Sequence, residues 1–182
     1  YVKDVAAQVD RDREAAFNEI MAAHELNQDH DVLDYFKSYG LEYMKNWQKT
    51  TLENFGVKFD IWFSEADLHK KNEVEAVLKE LIDKKAIFTE SGALWLDTMK
   101  FGDDKNRVIK KQDGEYTYLA SDIAYMKNKY DRGNSLIINI LGPDHHGYIK
   151  RLEAIARWLG KPPESVKIII LQQVNLLEGG EK

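Results

Sequence analysis

Three consecutive residues able to hold a metal or a phosphate, Asp144, His145 and His146, follow a glycine and a proline in the stretch LGPDHHGYIKRLEAI. A metal centre, a nucleotide site and a plain helix start can all carry such a run, and each makes a different demand on its surroundings. Side chains adjacent on a helix diverge by about 100°, so neighbouring histidines rarely chelate one ion as an i, i+4 pair does. A metal would need ligands from elsewhere, and His24, His30 and His69 fall at no predicted strand end facing this turn. The stretch HELNQDH misses the H-E-x-x-H spacing of zinc peptidases. The sharper metal reading is a manganese-dependent phosphoesterase of the DHH type, which requires an upstream constellation of His and Asp after a strand. Asp29, His30 and Asp31 lie instead in helical context.

A nucleotide site asks for something else. In open parallel sheets ligands bind beyond the carboxyl ends of strands, where the next helix offers free N–H groups. Gly142 directly follows the apolar run LIINIL, and without a side chain it lets a ligand approach the backbone. Asp144 has acceptors for ribose hydroxyls, and His145 and His146 carry nitrogens for phosphate or ribose. The competing role for Asp144, a cap on the following helix, is compatible with ribose binding.

A second candidate lies in GEYTYLASDIAYMKNKY, where Tyr118 and Asp122 stand four apart and share a helix face. A carboxylate beside an aromatic ring suits a planar cation, which the acid can pair bidentately while the ring packs on its plane. The plain alternative is a helix start with an exposed aspartate. A third is FGDDKNRVIKK, with Lys100, Lys105, Arg107, Lys110 and Lys111 around Asp103 and Asp104. Such a cluster can hold RNA phosphates, but a solvated hairpin rim has the same composition and is the reading favoured here.

These residues need elements to position them. The apolar steps Val2, Val5, Ala6, Val9 and Val32, Tyr35, Phe36, Tyr39 predict two or three helices, with stops at Gly40 and Gly56. VKFDIWFSE alternates as a strand does, and NEVEAVLKELIDKKA has helical period. AIFTESGALWLDT and RVIKKQDGEYTYL read as hairpins turning at Ser91-Gly92 and Asp113-Gly114. The last third alternates differently: a helix closed by Gly133, the buried strand LIINIL, a helix with Ile149, Leu152, Ile155, Ala156 and Leu159 inward, and a second buried strand in SVKIIILQQV. Strand, helix, strand predicts a βαβ unit with a parallel sheet.

The expected fold class is therefore α/β. Residues 1–56 form a helical segment, 57–115 a small α+β insertion with antiparallel strands, and 116–182 a parallel nucleotide-binding half-domain. With 31 acidic and 26 basic residues and a net charge of -5, no global basic footprint announces a nucleic acid. The absence of cysteine excludes disulfides and thiolate metal sites. No apolar run reaches the roughly 18 residues of a membrane span, and a soluble, cytoplasmic setting with no membrane partner is the expectation.

Read in order, KFDIWFSE, GALWLDTMKFGDDKNRVI, YTYLASDIAYMKNKYDRG, INILGPDHHGYIKRLEAI and LQQVNLLEGGEK closely resemble the arginyl-tRNA synthetases, class I aminoacyl-tRNA synthetases. The resemblance covers nearly the whole chain and is most specific from Phe59 onward. It implies the second half of a Rossmann-like catalytic domain plus the connective insertion. It also implies activation of L-arginine with ATP to arginyl-adenylate, with Mg2+ accompanying the ATP, and transfer to tRNA(Arg). Tyr118 and Asp122 fall on the family's arginine-binding tyrosine and aspartate. Gly142, Asp144 and His145 fall on the turn used for the adenylate ribose, and Val174 falls where the backbone would lie near adenine. Met126 stands where many relatives have histidine. The HIGH and KMSKS signatures are absent from the 182 residues, so the chain is expected to be an internal piece of a longer enzyme and, alone, catalytically silent. A non-catalytic RNA-binding module is the remaining alternative beside the phosphoesterase.

Overall fold

The computed structural model describes Lys3, Ala7, residues 29–175 except His146, and Leu177. Residues 1–62 and 63–182 form two compact units. In the first, helix α1 spans Asp29–Asn54 and passes straight through Gly40. A lone glycine costs a helix only about 1 kcal/mol relative to alanine, and no atom crowds it, so the expected stop does not occur. Gly56 does end the helix, with φ +77°. Its N–H bonds the Glu53 carbonyl at 2.9 Å and that of Val57 bonds the Leu52 carbonyl at 2.8 Å, which satisfies two of the last free carbonyls. The steps through Val2, Val5, Ala6 and Val9 fall outside the described residues.

The strand expected over VKFDIWFSE does not form. Its alternation is real, but these residues pair with no neighbour among the described ones, and a strand without a ladder has nowhere to place its N–H and C=O groups except water. Phe59 instead meets Trp62 edge-on at 5.6 Å, and the Lys49 ammonium sits 5.3 Å from the Trp62 ring centre.

The second unit begins with a short helix α2, Glu65–Lys70, and helix α3, Glu73–Asp83. Val74, Val77, Leu78 and Leu81 form the i, i+3, i+4, i+7 stripe of α3 and are all buried. Each such side chain contributes roughly 1.5–3 kcal/mol by leaving water. An antiparallel sheet follows, β1 Ile87–Glu90, β2 Ala93–Leu96 and β3 Arg107–Lys110, in the order β1-β2-β3. Its first turn has Ser91 and Gly92 at φ +49° and +77°, the doubly positive geometry that matches strand twist in a two-residue hairpin. The second expected hairpin closes with a single bridge, Lys110 to Tyr116. It grows no further because Thr117 turns the chain into helix α4, Tyr118–Asp131, with its hydroxyl donated to the Val108 carbonyl at 2.8 Å.

Beyond α4, which Gly133 closes at φ +90°, strand β4 (Ile137–Leu141) pairs in parallel with β5 (Val166–Ile170). Between them lie a 3-10 turn, Pro143–His145, helix α5, Tyr148–Trp158, and a second 3-10 turn, Pro163–Ser165. The parallel unit is as expected, but the two strands are covered on one face only. Ile137 and Val166 are each 5 % exposed, whereas Ile138, Ile140 and Ile169 are 52 %, 62 % and 45 % exposed. One hydrophobic core joins the antiparallel sheet, α3, α4 and α5, with Leu81, Leu96, Ile109, Ile123 and Ile155 inside it. Among the described residues no helix is long and apolar enough to cross a membrane.

Candidate functional site

Helix α4 buries Leu119, Ala120, Ile123 and Ala124 against the core. Tyr118, Asp122 and Lys129 are thereby left on a different face, together with Tyr125 and the buried Met126, along the wall of a cavity of about 400 Å³. Across that cavity stand Asn139 and Leu141 of β4, His145 of the 3-10 turn and Tyr148 of α5. The Tyr118–Asp122 pair and His145 thus meet at one cavity, which Gly142 and Asp144 do not line. Tyr118 is 86 % exposed, a ring available at the rim.

Asp122 is the electrostatic centre. Burial is the largest influence and pushes its carboxyl above the usual aspartate range; Glu65 of α2 pushes the same way. Arg151, Lys129 and His145 pull against both without reversing the shift. A carboxylate stripped of water and crowded by a second acid favours any cation that can replace its solvation. Glu65 reaches it from α2, where Phe63, Glu65, Ser121, Asp122 and Tyr125 line an adjoining recess of about 210 Å³. Phe63 stacks on Tyr125 at 4.2 Å and 22°, and His69 meets the Ser121 hydroxyl at 3.3 Å, two contacts that tie the start of this unit to α4. Sequence reasoning missed Glu65. It hides at the end of the apparent strand VKFDIWFSE, and only its place in the first turn of α2 sets it opposite Asp122.

The turn after β4 is less committed. An added Cβ at Gly142 would stand 2.9 Å from Asp144 Oδ1, so glycine lets the aspartate fold back beside the backbone. Asp144 does not cap a helix: α5 begins at Tyr148 behind Gly147, with no side-chain cap, and the intervening 3-10 turn ends at His145. Its carboxylate is 80 % exposed and lies 3.6 Å from His145 Nε2. The His145 ring meets Tyr148 edge-on at 4.9 Å, and the Arg151 guanidinium lies 4.1 Å over the Tyr148 ring. Val174, 91 % exposed, lies beyond β5 and does not line the cavity. His146 is outside the described residues. Among the described residues no group of three or more His, Asp or Glu side chains converges as metal ligands would.

The basic stretch is largely spoken for. Arg107 holds Asp103 bidentately at 2.7 and 2.8 Å and also contacts Asp104. Lys111 pairs with Glu115 at 3.0 Å, and the Lys110 and Lys100 ammoniums lie over the Tyr116 and Trp158 rings at 5.1 and 4.5 Å.

Residues 1–178 match the family model described as "tRNA synthetases class I (R), catalytic domain". The chain belongs to the arginyl-tRNA synthetase family. It is 50 % identical over 157 residues to an arginine–tRNA ligase of Oceanobacillus iheyensis, covering 86 % of this chain and 28 % of that protein. An arginine–tRNA ligase of Bacillus pumilus is 47 % identical over 150 residues, 82 % of this chain and 27 % of the relative. Among solved structures, a Campylobacter jejuni chain assigned as an arginyl-tRNA synthetase superposes with a TM-score of 0.82 at 34 % identity, over 98 % of this chain and 37 % of that one. The Thermus thermophilus arginyl-tRNA synthetase, at 14 % identity and a TM-score of 0.62 over 80 % of this chain and 33 % of its own, shares the fold. The chain therefore spans little more than a quarter of the length of these arginyl-tRNA synthetase sequences.

Proposed function

We propose that this chain supplies part of the arginine and ATP sites of an arginine–tRNA ligase, which joins L-arginine to tRNA(Arg) at the expense of ATP. The observation that carries the reading is the desolvated, acid-crowded carboxylate of Asp122 in a cavity whose rim is the exposed ring of Tyr118. In this reading the guanidinium of arginine pairs with Asp122 while Tyr118 packs on its plane, and Glu65 supplies a second negative charge from α2. A bound cation replaces the solvation that burial takes from Asp122 and offsets the charge of Glu65 beside it.

The nucleotide belongs at the carboxyl end of β4. Gly142 clears the backbone for it, Asp144 accepts from the ribose hydroxyls, and His145 lies between that turn and the arginine cavity. Val174 would border adenine only through its backbone. Activation joins the carboxylate of arginine to the α-phosphorus of ATP with loss of pyrophosphate, and the aminoacyl group then passes to a hydroxyl of the terminal adenosine of the tRNA. This chain's part is to hold and orient. Mg2+ enters, in this reading, with the nucleotide phosphates; the described residues offer it no three-ligand site, and no step here runs through it. The solvated side chain of Asp144 and the lack of converging ligands among the described residues speak against a manganese-dependent phosphoesterase.

The test replaces the matching segment of the Oceanobacillus iheyensis relative with this chain and follows arginine-dependent exchange of pyrophosphate into ATP. The chimaera is expected to exchange, and the isolated chain is not. In the chimaera, Asp122→Asn is expected to raise the KM for arginine by the equivalent of about 2–5 kcal/mol and to leave the KM for ATP nearly unchanged. Equal effects on both substrates would remove the guanidinium role from Asp122.

A further inference from the structure

Two lysines sit close together on α4 and live in opposite circumstances. Lys127 faces outward and is paired, with Asp131 at 3.0 Å and Glu80 at 3.8 Å. Lys129 faces the cavity and has no carboxylate within ion-pair distance among the described residues. Its ammonium lies 4.1 Å over the ring of Tyr125 and donates to Asn139 Oδ1 at 3.4 Å. Burial, and next the charge of Arg132, make that ammonium easier to deprotonate than an ordinary lysine. A desolvated, unpaired cation costs free energy unless it stabilises something nearby.

Asn139 adds to the cost. Its carboxamide oxygen turns to Lys129, and its Nδ2 is left buried with no partner. A strand position between Ile137 and Leu141 could carry an aliphatic side chain, yet it holds an amide whose one side-chain hydrogen bond among the described residues is to the lysine. Lysine side chains on a helix lean toward its N-terminus, which here is the direction of Tyr125 and then Asp122. Asp122, in turn, is among the charges acting on Lys129.

We infer that Lys129 is a positioning residue for the cation site: held by Asn139 and the Tyr125 ring, its ammonium stands in the cavity that Asp122 lines and biases that carboxylate toward its charged form. The inference rests on the guanidinium reading of Asp122. Every charged group that faces Asp122 enters the balance. Glu65 from α2 opposes ionisation, while Arg151 from α5, His145 from the 3-10 turn and Lys129 from α4 itself favour it. Lys129 also carries a penalty, because a cation beside the site repels an incoming guanidinium. The two effects separate with pH. Where Asp122 is fully ionised, only the repulsion remains and removing Lys129 should help the ligand. Toward acid, removing Lys129 lets Asp122 take up a proton and should harm it. A lysine that merely packs α4 would weaken binding alike at every pH.

The experiment uses the 182-residue chain, native and as Lys129→Met, Lys129→Gln and Lys129→Arg. The side-chain carboxyl 13C signal of Asp122 is followed through a pH titration, and L-arginine is titrated at pH about 5, the point nearer the carboxylate range, and at about 8, on the far side of the histidine range. The Asp122 midpoint is expected to move up in the Met and Gln variants and return in the Arg variant. The affinity of both neutral variants for arginine is expected to fall by about threefold or more at the lower pH, and to equal or exceed the native affinity at the higher one. An unmoved Asp122 midpoint, or a loss of affinity equal at both pH values, overturns the inference. A native chain that does not respond to arginine would instead defeat the guanidinium reading, and the carboxyl titration would still decide what Lys129 does to Asp122.

Discussion

Asp103 and Asp122 are both aspartates with little water around them, and their partners drive them in opposite directions. At Asp103 burial also pushes upward, but the bidentate Arg107, the Asp104 N–H and Thr98 overcome it and hold the carboxyl at about 2. Its folded value lies below the unfolded value of about 3.9, so the stability it contributes is fully present above pH 4 and is lost as pH falls through about 2. Asp103→Asn is expected to cost about 3 kcal/mol at neutral pH, because Arg107 is left with a desolvated charge. Urea unfolding midpoints measured between pH 7 and pH 2 should show that cost shrinking toward the acid end; a pH-independent loss would mean that the pair is not the source. Among the described residues Asp122 has nearby cations but no hydrogen-bonded one to match Arg107, which is what the proposed ligand role asks of it. The sequence alone shows both aspartates, each near basic or aromatic neighbours. It does not show which one owns a partner, since Arg107 lies four residues from Asp103 while Glu65 lies far along the chain from Asp122.

At the level of elements, the turn from β4 into α5 is built on Gly142. It has no positive φ; what requires glycine is the Asp144 carboxylate 2.9 Å from where a Cβ would be. Asp144 is exposed and free to swing away, so Gly142→Ala should change the thermal midpoint little. The same substitution should weaken ATP binding severalfold by displacing Asp144, the proposed ribose acceptor, as measured by nucleotide titration. A large drop in stability with unchanged affinity would assign the glycine to folding. Helices and paired strands were legible because each repeats its own period, and α3, α4, α5 and the parallel pair β4–β5 follow the sequence closely. Two elements were not. Gly40 looks like a stop, although a helix as long as α1 absorbs one glycine, and VKFDIWFSE looks like a strand, because alternation shows which faces differ, not whether a neighbour exists to receive the hydrogen bonds. That second error also concealed Glu65, and with it the second acid of the site.

For the whole molecule, the uneven covering of β4 and β5 has the same root. Their apolar runs suggest burial on both faces, as in a wide parallel sheet, yet Ile138, Ile140 and Ile169 face outward in a chain that spans little more than a quarter of its relatives' length. Tyr118, Asp122 and His145 line one cavity of this chain, so the proposed arginine site can be tested on the 182-residue chain itself. The most direct measurement compares L-arginine with L-citrulline, which replaces the guanidinium by a neutral urea of the same shape, in NMR titrations of the 182-residue chain. Arginine is expected to shift the signals of Tyr118, Asp122 and Tyr125 in a saturable way, and citrulline to leave them in place. Equal responses to both, or a response confined to residues outside the cavity, would contradict a cation site centred on Asp122.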